Sequence, residues 1–217
     1  MRLSIRSIDL DFKSGVFAMS GMMTLEWNDS RYVWDPFQWD GVESVPLPFS
    51  TVWTPEVILH NSLEEKFMFR QVGLLNYTGN IVYAIAVHTK SSCAPNFSNF
   101  PWGVQVCSLK FGSWINSQYN VEYRLSTTNN TIGLGDFQQT VGWEVVNTKS
   151  RQVLTRDQIR SEINILSRLQ SVVYPLFAEP THMVVFDVAF KRETYFDGAF
   201  GVLVKVELCF FFTKYFI

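Results

Sequence analysis

Cys93 and Cys107 enclose thirteen residues, APNFSNFPWGVQV, and the second cysteine runs directly into Ser-Leu-Lys-Phe-Gly-Ser-Trp. Two chemistries suit such a pair, a disulfide that persists in an oxidising compartment or two free thiols in a reducing one. Closing a ring of that size would stabilise the fold by about 3 kcal/mol, by restricting the unfolded chain. Phe97, Phe100, Pro101 and Trp102 give the loop more apolar surface than a closed surface loop needs, so it is expected to rest against something else. The Phe100–Pro101 bond is a candidate for a cis peptide in a tight turn. Trp27, Trp34 and Trp114 suit two roles. Taken singly, each is a core side chain; converging on one site, such rings make a cage that attracts a cation through their negative faces.

Other chemistry is poorly served. His60, His88 and His182 are far apart and lack His-Glu-x-x-His or Cys-x-x-Cys partners, so no zinc site is expected. Gly133-Leu134-Gly135 lacks the third glycine or the lysine of a phosphate loop, and no Gly-x-Ser-x-Gly elbow occurs. The scattered carboxylates read as solvated surface. No enzyme, no catalytic residue and no cofactor is expected. With 18 basic and 20 acidic residues, a net charge of −2 and no basic run, the chain carries no electrostatic footprint for nucleic acid. Four Asn-x-Ser/Thr acceptors, at Asn28, Asn76, Asn96 and Asn129, suit an exported surface.

The elements that must position these residues are strands. Leu3, Ile5, Ile8, Leu10 and Phe12 alternate early; Ile81, Tyr83, Ile85 and Val87 follow, and Val184, Phe186, Val188 and Phe190 come late. Period two in many short runs broken by Gly, Pro and Asn predicts an all-β fold, a sandwich or barrel of antiparallel strands. At 47% hydrophobic and 16% aromatic, the 217 residues can fill one core. Thr155 to Val173 departs from the pattern: Ile159, Ile163, Leu166, Leu169 and Val173 recur at helical spacing after a Thr155–Gln158 capping box. This predicts a helical insertion between two strands. Ser126 to Phe137 reads as a loop. The first residues read as a strand, not as an export signal. The apolar C-terminal stretch carries Lys205, Glu207 and Lys214, and is not read as a membrane helix.

Taken together, these residues resemble the extracellular ligand-binding domain of Cys-loop pentameric ligand-gated ion channels, nearest the nicotinic acetylcholine receptor subunits. The resemblance rests on the two cysteines with Phe100-Pro101 and Gln105 between them, followed by Lys110-Phe111-Gly112-Ser113-Trp114. Trp27-Asn-Asp29-Ser-Arg31-Tyr-Val-Trp34 is similar to the family's Trp-x-Asp-x-x-Leu-x-Trp. Trp53-Thr-Pro55-Glu56, followed by Leu59-His60-Asn61, is similar to Trp-x-Pro-Asp and Leu-Tyr-Asn. The match spans Leu3 to Phe196. It implies an immunoglobulin-like sandwich of about ten antiparallel strands, a disulfide between Cys93 and Cys107, and a pentamer. A small cationic transmitter such as acetylcholine would bind between subunits, in an aromatic box.

Carried over residue by residue, the resemblance makes Trp114 the principal-face tryptophan and Tyr174 the first tyrosine of the capping loop. Trp27 becomes the tryptophan lent by the complementary face, with Val82 and Ala84 on its neighbouring strand. His60 stands where the family has Tyr, and Thr181 where it has the second capping tyrosine; Leu176-Phe177 replaces the adjacent cysteines of alpha subunits. These departures imply a non-alpha subunit or a different ligand, and a charged His60 would repel a cation below about pH 6.5. Phe100, Pro101 and Trp102 would meet the pore domain, with Gly103 and Asn96 where the family carries aspartates, and Arg192 as the basic residue ahead of the first membrane helix. Residues 1–196 are thus expected to be the binding domain and 197–217 a divergent tail without a membrane helix. The implied localisation is the extracellular side of the plasma membrane. A soluble secreted binding protein and a truncated, non-functional product are the alternatives.

Overall fold

The computed structural model describes residues 1–48, 52–68, 72–100, 102–114, 116, 120–127, 131–138, 142–155 and 181–192. In chain order the strands are β1 (Arg2–Asp11), β2 (Val16–Val33), β3 (Ser44–Pro48), β4 (Ile58–Leu59), β5 (Ser62–Met68) and β6 (Val72–Asn76). There follow β7 (Thr78–Ser92), β8 (Gln105–Gly112), β9 (Ile132–Gly133), β10 (Trp143–Thr155) and β11 (Thr181–Arg192), with a 3-10 turn at Pro36–Gln38 after β2. One sheet has the order β3-β6-β7-β2-β1-β9, with β5 also paired to β7; the other has the order β10-β11-β8-β4. Because β7 is 15 residues long, β6 pairs with its first part and β5 with its last, while β2 runs along its other edge.

The alternating residues point inward as expected. Leu3, Ile5, Ile8 and Leu10 on β1, Phe17, Met19, Met23 and Leu25 on β2, and Tyr83, Ile85 and Val87 on β7 face Leu109 and Phe111 on β8 and Val184, Phe186, Val188 and Phe190 on β11, all in one buried cluster. The sheets meet ring to ring. Phe17 of one sheet stacks on Phe190 of the other at 5.4 Å between centroids, and each such buried ring is worth about 1.5–3 kcal/mol. This face-to-face packing is consistent with a sandwich.

Gly21 sits in β2 where β1 crosses closely. A Cβ there would lie 2.2 Å from the Ser4 carbonyl oxygen, beside the register shift between Ile5 and Ser7. A side chain at position 21 would push the two strands apart, so close approach, not turn geometry, requires the glycine.

Three expectations need correction or restriction. The described residues hold eleven strands, not about ten. The sheets are not wholly antiparallel, because β9 runs parallel to β1, Leu3 pairing with Ile132 and Ser4 with Gly133. That short strand lies within the stretch expected to be loop; Leu3 N–H donating to Thr131 O at 2.9 Å ties it down, a long-range contact that local composition does not encode. The helical insertion expected at 155–173 lies, apart from Thr155 at the end of β10, outside the described residues. Among the described residues no helix is long and apolar enough to cross a membrane.

Candidate functional site

β8 carries a different candidate site at each end. Its eight residues extend about 24 Å at the usual rise, from Gln105 beside the disulfide to Gly112 beside Trp114.

At the Gly112 end, β4 pairs with β8, Ile58 opposite Gly112 and Leu59 opposite Phe111. The chain then turns at His60, whose backbone N–H donates to Lys110 O at 2.8 Å. Asn61 fixes the turn: its Nδ2 donates to Ser108 O at 2.8 Å and its Oδ1 accepts from Lys110 N–H at 3.2 Å. These bonds lay the His60 imidazole against the β8 backbone. Glycine at 112 is what leaves room, since a Cβ there would fall 2.9 Å from His60 Nε2 and 2.9 Å from Met183 Cγ. The imidazole stacks on the Trp114 indole, with centroids 6.0 Å apart and planes 15° from parallel. Trp114 remains 60% exposed.

A polar network anchors Ser113, the residue before Trp114. Ser113 is fully buried; its hydroxyl donates to Glu56 Oε2 and accepts from Asn116 N–H at 2.9 Å. The Tyr123 hydroxyl donates to the Glu56 carbonyl, and burial is the main cause that pushes this phenol up to about 12. His60 Nε2 is buried and has no hydrogen-bond partner among the described residues. Burial pushes the imidazole below its ordinary value, Lys110 adds to the effect, and Glu56 opposes it. At neutral pH His60 is therefore uncharged. Neutral imidazole stacked on indole leaves the ring's electron-rich character available to a cation.

Thr181 opens β11 opposite Thr155 and lies two residues before Met183, the partner of Gly112, so it shares this end of the sheet. Tyr174 lies outside the described residues. Trp27 is not brought together with Val82 and Ala84. It pairs with Ile81, packs against the core and meets Trp53 edge-on at 6.4 Å. Val82 and Ala84 point out of the other face, opposite Glu26 and Thr24. Met22, opposite Ala86 and 41% exposed, is on that outward face too, and the motif reading missed it. Counting by twos from the buried Met23 and Leu25 would have found it.

The other end of β8 holds the bridged loop. Cys93 and Cys107 form a disulfide with Cα atoms 5.5 Å apart, so the open choice between bridge and free thiols is resolved for the bridge. Buried Gln105 shapes the loop from inside: its Oε1 accepts from Asn96 N–H at 2.7 Å and its Nε2 donates to Asn96 O at 2.8 Å. The apolar loop rests, as expected, against another surface. Phe12, in the β1–β2 turn, meets Phe97 at 6.0 Å and Phe100 at 5.3 Å. Arg192 places its guanidinium 5.5 Å from the centroids of both Phe12 and Trp143. Phe100 and Trp102 stay nearly half exposed; Pro101 lies outside the described residues. Asn28 and Asn96 are exposed, Asn76 is half-buried, and Asn129 lies outside the described residues.

Among the described residues no group of three or more His, Cys, Asp or Glu is placed to hold a metal ion.

Comparison with known proteins agrees with this geometry. The family model for the neurotransmitter-gated ion-channel ligand binding domain matches residues 1–194. Acetylcholine receptor subunit alpha-like 2 of Drosophila melanogaster is 25% identical over 206 residues, 90% of this chain and 33% of that protein. Acetylcholine receptor subunit beta-type acr-3 of Caenorhabditis elegans is 26% identical over 82% of this chain and 37% of its own length. Neuronal acetylcholine receptor subunit alpha-6 of Homo sapiens is 32% identical over 56% of this chain and 24% of its own length. The chain thus spans between 24% and 37% of these relatives. With a disulfide-closed loop at one end of β8, an exposed tryptophan at the other, and a family match over nearly the whole of the described structure, the chain belongs to the neurotransmitter-gated ion-channel ligand-binding domain family.

Proposed function

We propose that the chain is the extracellular binding domain of a nicotinic-type channel subunit, an immunoglobulin-like sandwich over residues 1–196 with 197–217 as a tail outside it. It works at the outer side of the plasma membrane, in a homo- or heteropentamer, and takes a small cationic transmitter of the acetylcholine class. One observation carries the reading: Trp114 is 60% exposed while its indole stacks on a neutral imidazole. A large exposed indole beside an anchored, buried serine is poorly explained by packing alone, and an indole face is the best protein surface for a quaternary ammonium.

In this reading Trp114, His60 and Thr181 form the principal side, and Tyr174 closes over it. The neighbouring subunit contributes its outward β2–β7 face, with Val82, Ala84, Met22 and Thr24, which Trp27 supports from the core side. At the opposite end Phe100, Pro101 and Trp102 of the bridged loop, together with Arg192, pass the binding event toward a pore. Aromatic contacts between Phe12, Phe97 and Phe100 support that role, because they join the loop to the β1–β2 turn, and Arg192 joins the end of β11 to that turn.

The test is calorimetric titration of the exported full chain with tetramethylammonium and acetylcholine, alongside Trp114→Ala. Saturable binding lost in the variant supports the reading. Binding that survives the substitution, or no binding by chain whose disulfide has formed, refutes it.

A further inference from the structure

The outward face of the β3-β6-β7-β2 sheet carries an exposed apolar patch. Pro46 pairs with Leu74, Leu74 with Val82, and Thr24 with Ala84, so these side chains share one face. Leu74 is 51% exposed. Two Asn-x-Ser/Thr acceptors border the patch at one margin: Asn28 opposite Asn80 on β2, and Asn76 two residues beyond Leu74 on β6. They differ in one respect that bears on modification. Asn76 is half-buried, and its Oδ1 is covered and accepts no hydrogen bond among the described residues. Asn28 is exposed, and its Nδ2 gives one hydrogen to the Thr78 carbonyl at 3.2 Å. A primary amide has two hydrogens on that nitrogen, and only one is used.

We propose that Asn28 carries an N-linked oligosaccharide that covers the Asn80–Leu74 margin of this face, outside the part with Val82 and Ala84 that contributes to ligand binding, and sets the limit of what a neighbouring subunit can bury. The inference rests on the extracellular reading above, which supplies the export route. The donor is an isoprenoid-diphosphate-linked oligosaccharide. A bond forms between Asn28 Nδ2 and the anomeric carbon, the bond from that carbon to the diphosphate oxygen breaks, the lipid diphosphate leaves, and one Nδ2 proton passes to base. No atom changes oxidation state. The hydrogen donated to Thr78 survives the substitution, so the sheet margin is undisturbed. The attached sugar is bulky and hydrated, and suits a patch bordered by Asn80, Glu26 and Asn76, with Asn80 Nδ2 already donating to Glu26 Oε1 at 2.8 Å.

The test uses full-length chain exported from eukaryotic cells, digested after enzymatic glycan release that converts each occupied Asn to Asp. The Asn28 peptide is expected to show the mass shift of that conversion, and the Asn76 peptide its native mass. A native mass for the Asn28 peptide overturns the proposal. Ser30→Ala removes the acceptor motif while keeping the Asn28 amide and its bond to Thr78; the shift is expected to vanish and the fluorescence of a bound apolar dye to rise. Unchanged dye fluorescence overturns the shielding role. Failure of the binding reading shows separately, as an absence of tetramethylammonium binding by the same preparation.

Discussion

Lowering the pH should weaken cation binding through His60, by an amount the geometry fixes. His60 lies 6.0 Å from the Trp114 centroid on one ring face, and a cation on the other face sits within about 6 Å of the same centroid. The two are then about 12 Å apart, and a protonated imidazole would repel the ligand by about 0.3 kcal/mol if the gap is fully watery and about 1.4 kcal/mol at the screening of a protein surface. That is roughly a twofold to tenfold loss of affinity. The onset follows from the sign of the perturbation. Burial and Lys110 hold His60 below its ordinary value of 6.5, so the loss begins below that pH and not above it. Calorimetric titration with tetramethylammonium at about pH 7.5 and about pH 5.5 measures it, with His60→Gln as the control that cannot charge. An equal fall in wild type and variant, or none in wild type, would refute the reasoning. Stability should fall over the same window, because the unfolded chain takes up the His60 proton first as the pH drops.

Three further perturbations test the framework. Replacing Cys93 and Cys107 together by Ser should lower stability by about 3 kcal/mol in urea denaturation, with little change in a bridged-loop conformation that Gln105 also holds. Gly21→Ala should be among the most damaging small substitutions, because its Cβ would meet the Ser4 carbonyl at 2.2 Å, a backbone atom that cannot swing aside; thermal melting should show a loss of about 1–3 kcal/mol or failure to fold. Arg192→Gln should cost about 1 kcal/mol by removing the guanidinium from the Phe12 and Trp143 rings, and the stability of its disulfide-loop end, read by amide exchange at residues 96–100, should drop with it.

Much of the scaffold was written in the alternation. Ile81, Tyr83, Ile85 and Val87 point inward as the period of two requires, and so do Val184, Phe186, Val188 and Phe190. The bridged loop was legible for a similar reason, since its cysteines and apolar residues are close in sequence. Facing was less legible where a motif replaced a count. Trp27 was matched by its Trp-x-Asp context, yet side-chain direction on a strand depends on parity, and parity turns Trp27 toward the core and Met22 to the outward face. Long-range relations were not legible. Nothing local to Ile132–Gly133 announces a parallel partner in β1. Nor does the spacing of His60 and Trp114 reveal a stack that exists because β4 and β8 pair and Gly112 lacks a side chain. The cation–π contacts of Arg192 with Phe12 and Trp143 join three distant segments for the same reason.

The most direct measurement is photolabelling of the exported chain with a light-activated quaternary ammonium, followed by peptide mapping. The account predicts covalent label on Trp114, or on the residues adjoining it, displaced by excess tetramethylammonium. Label confined to Phe97, Phe100 and Trp102 at the far end of β8, or label that excess ligand does not displace, would contradict it.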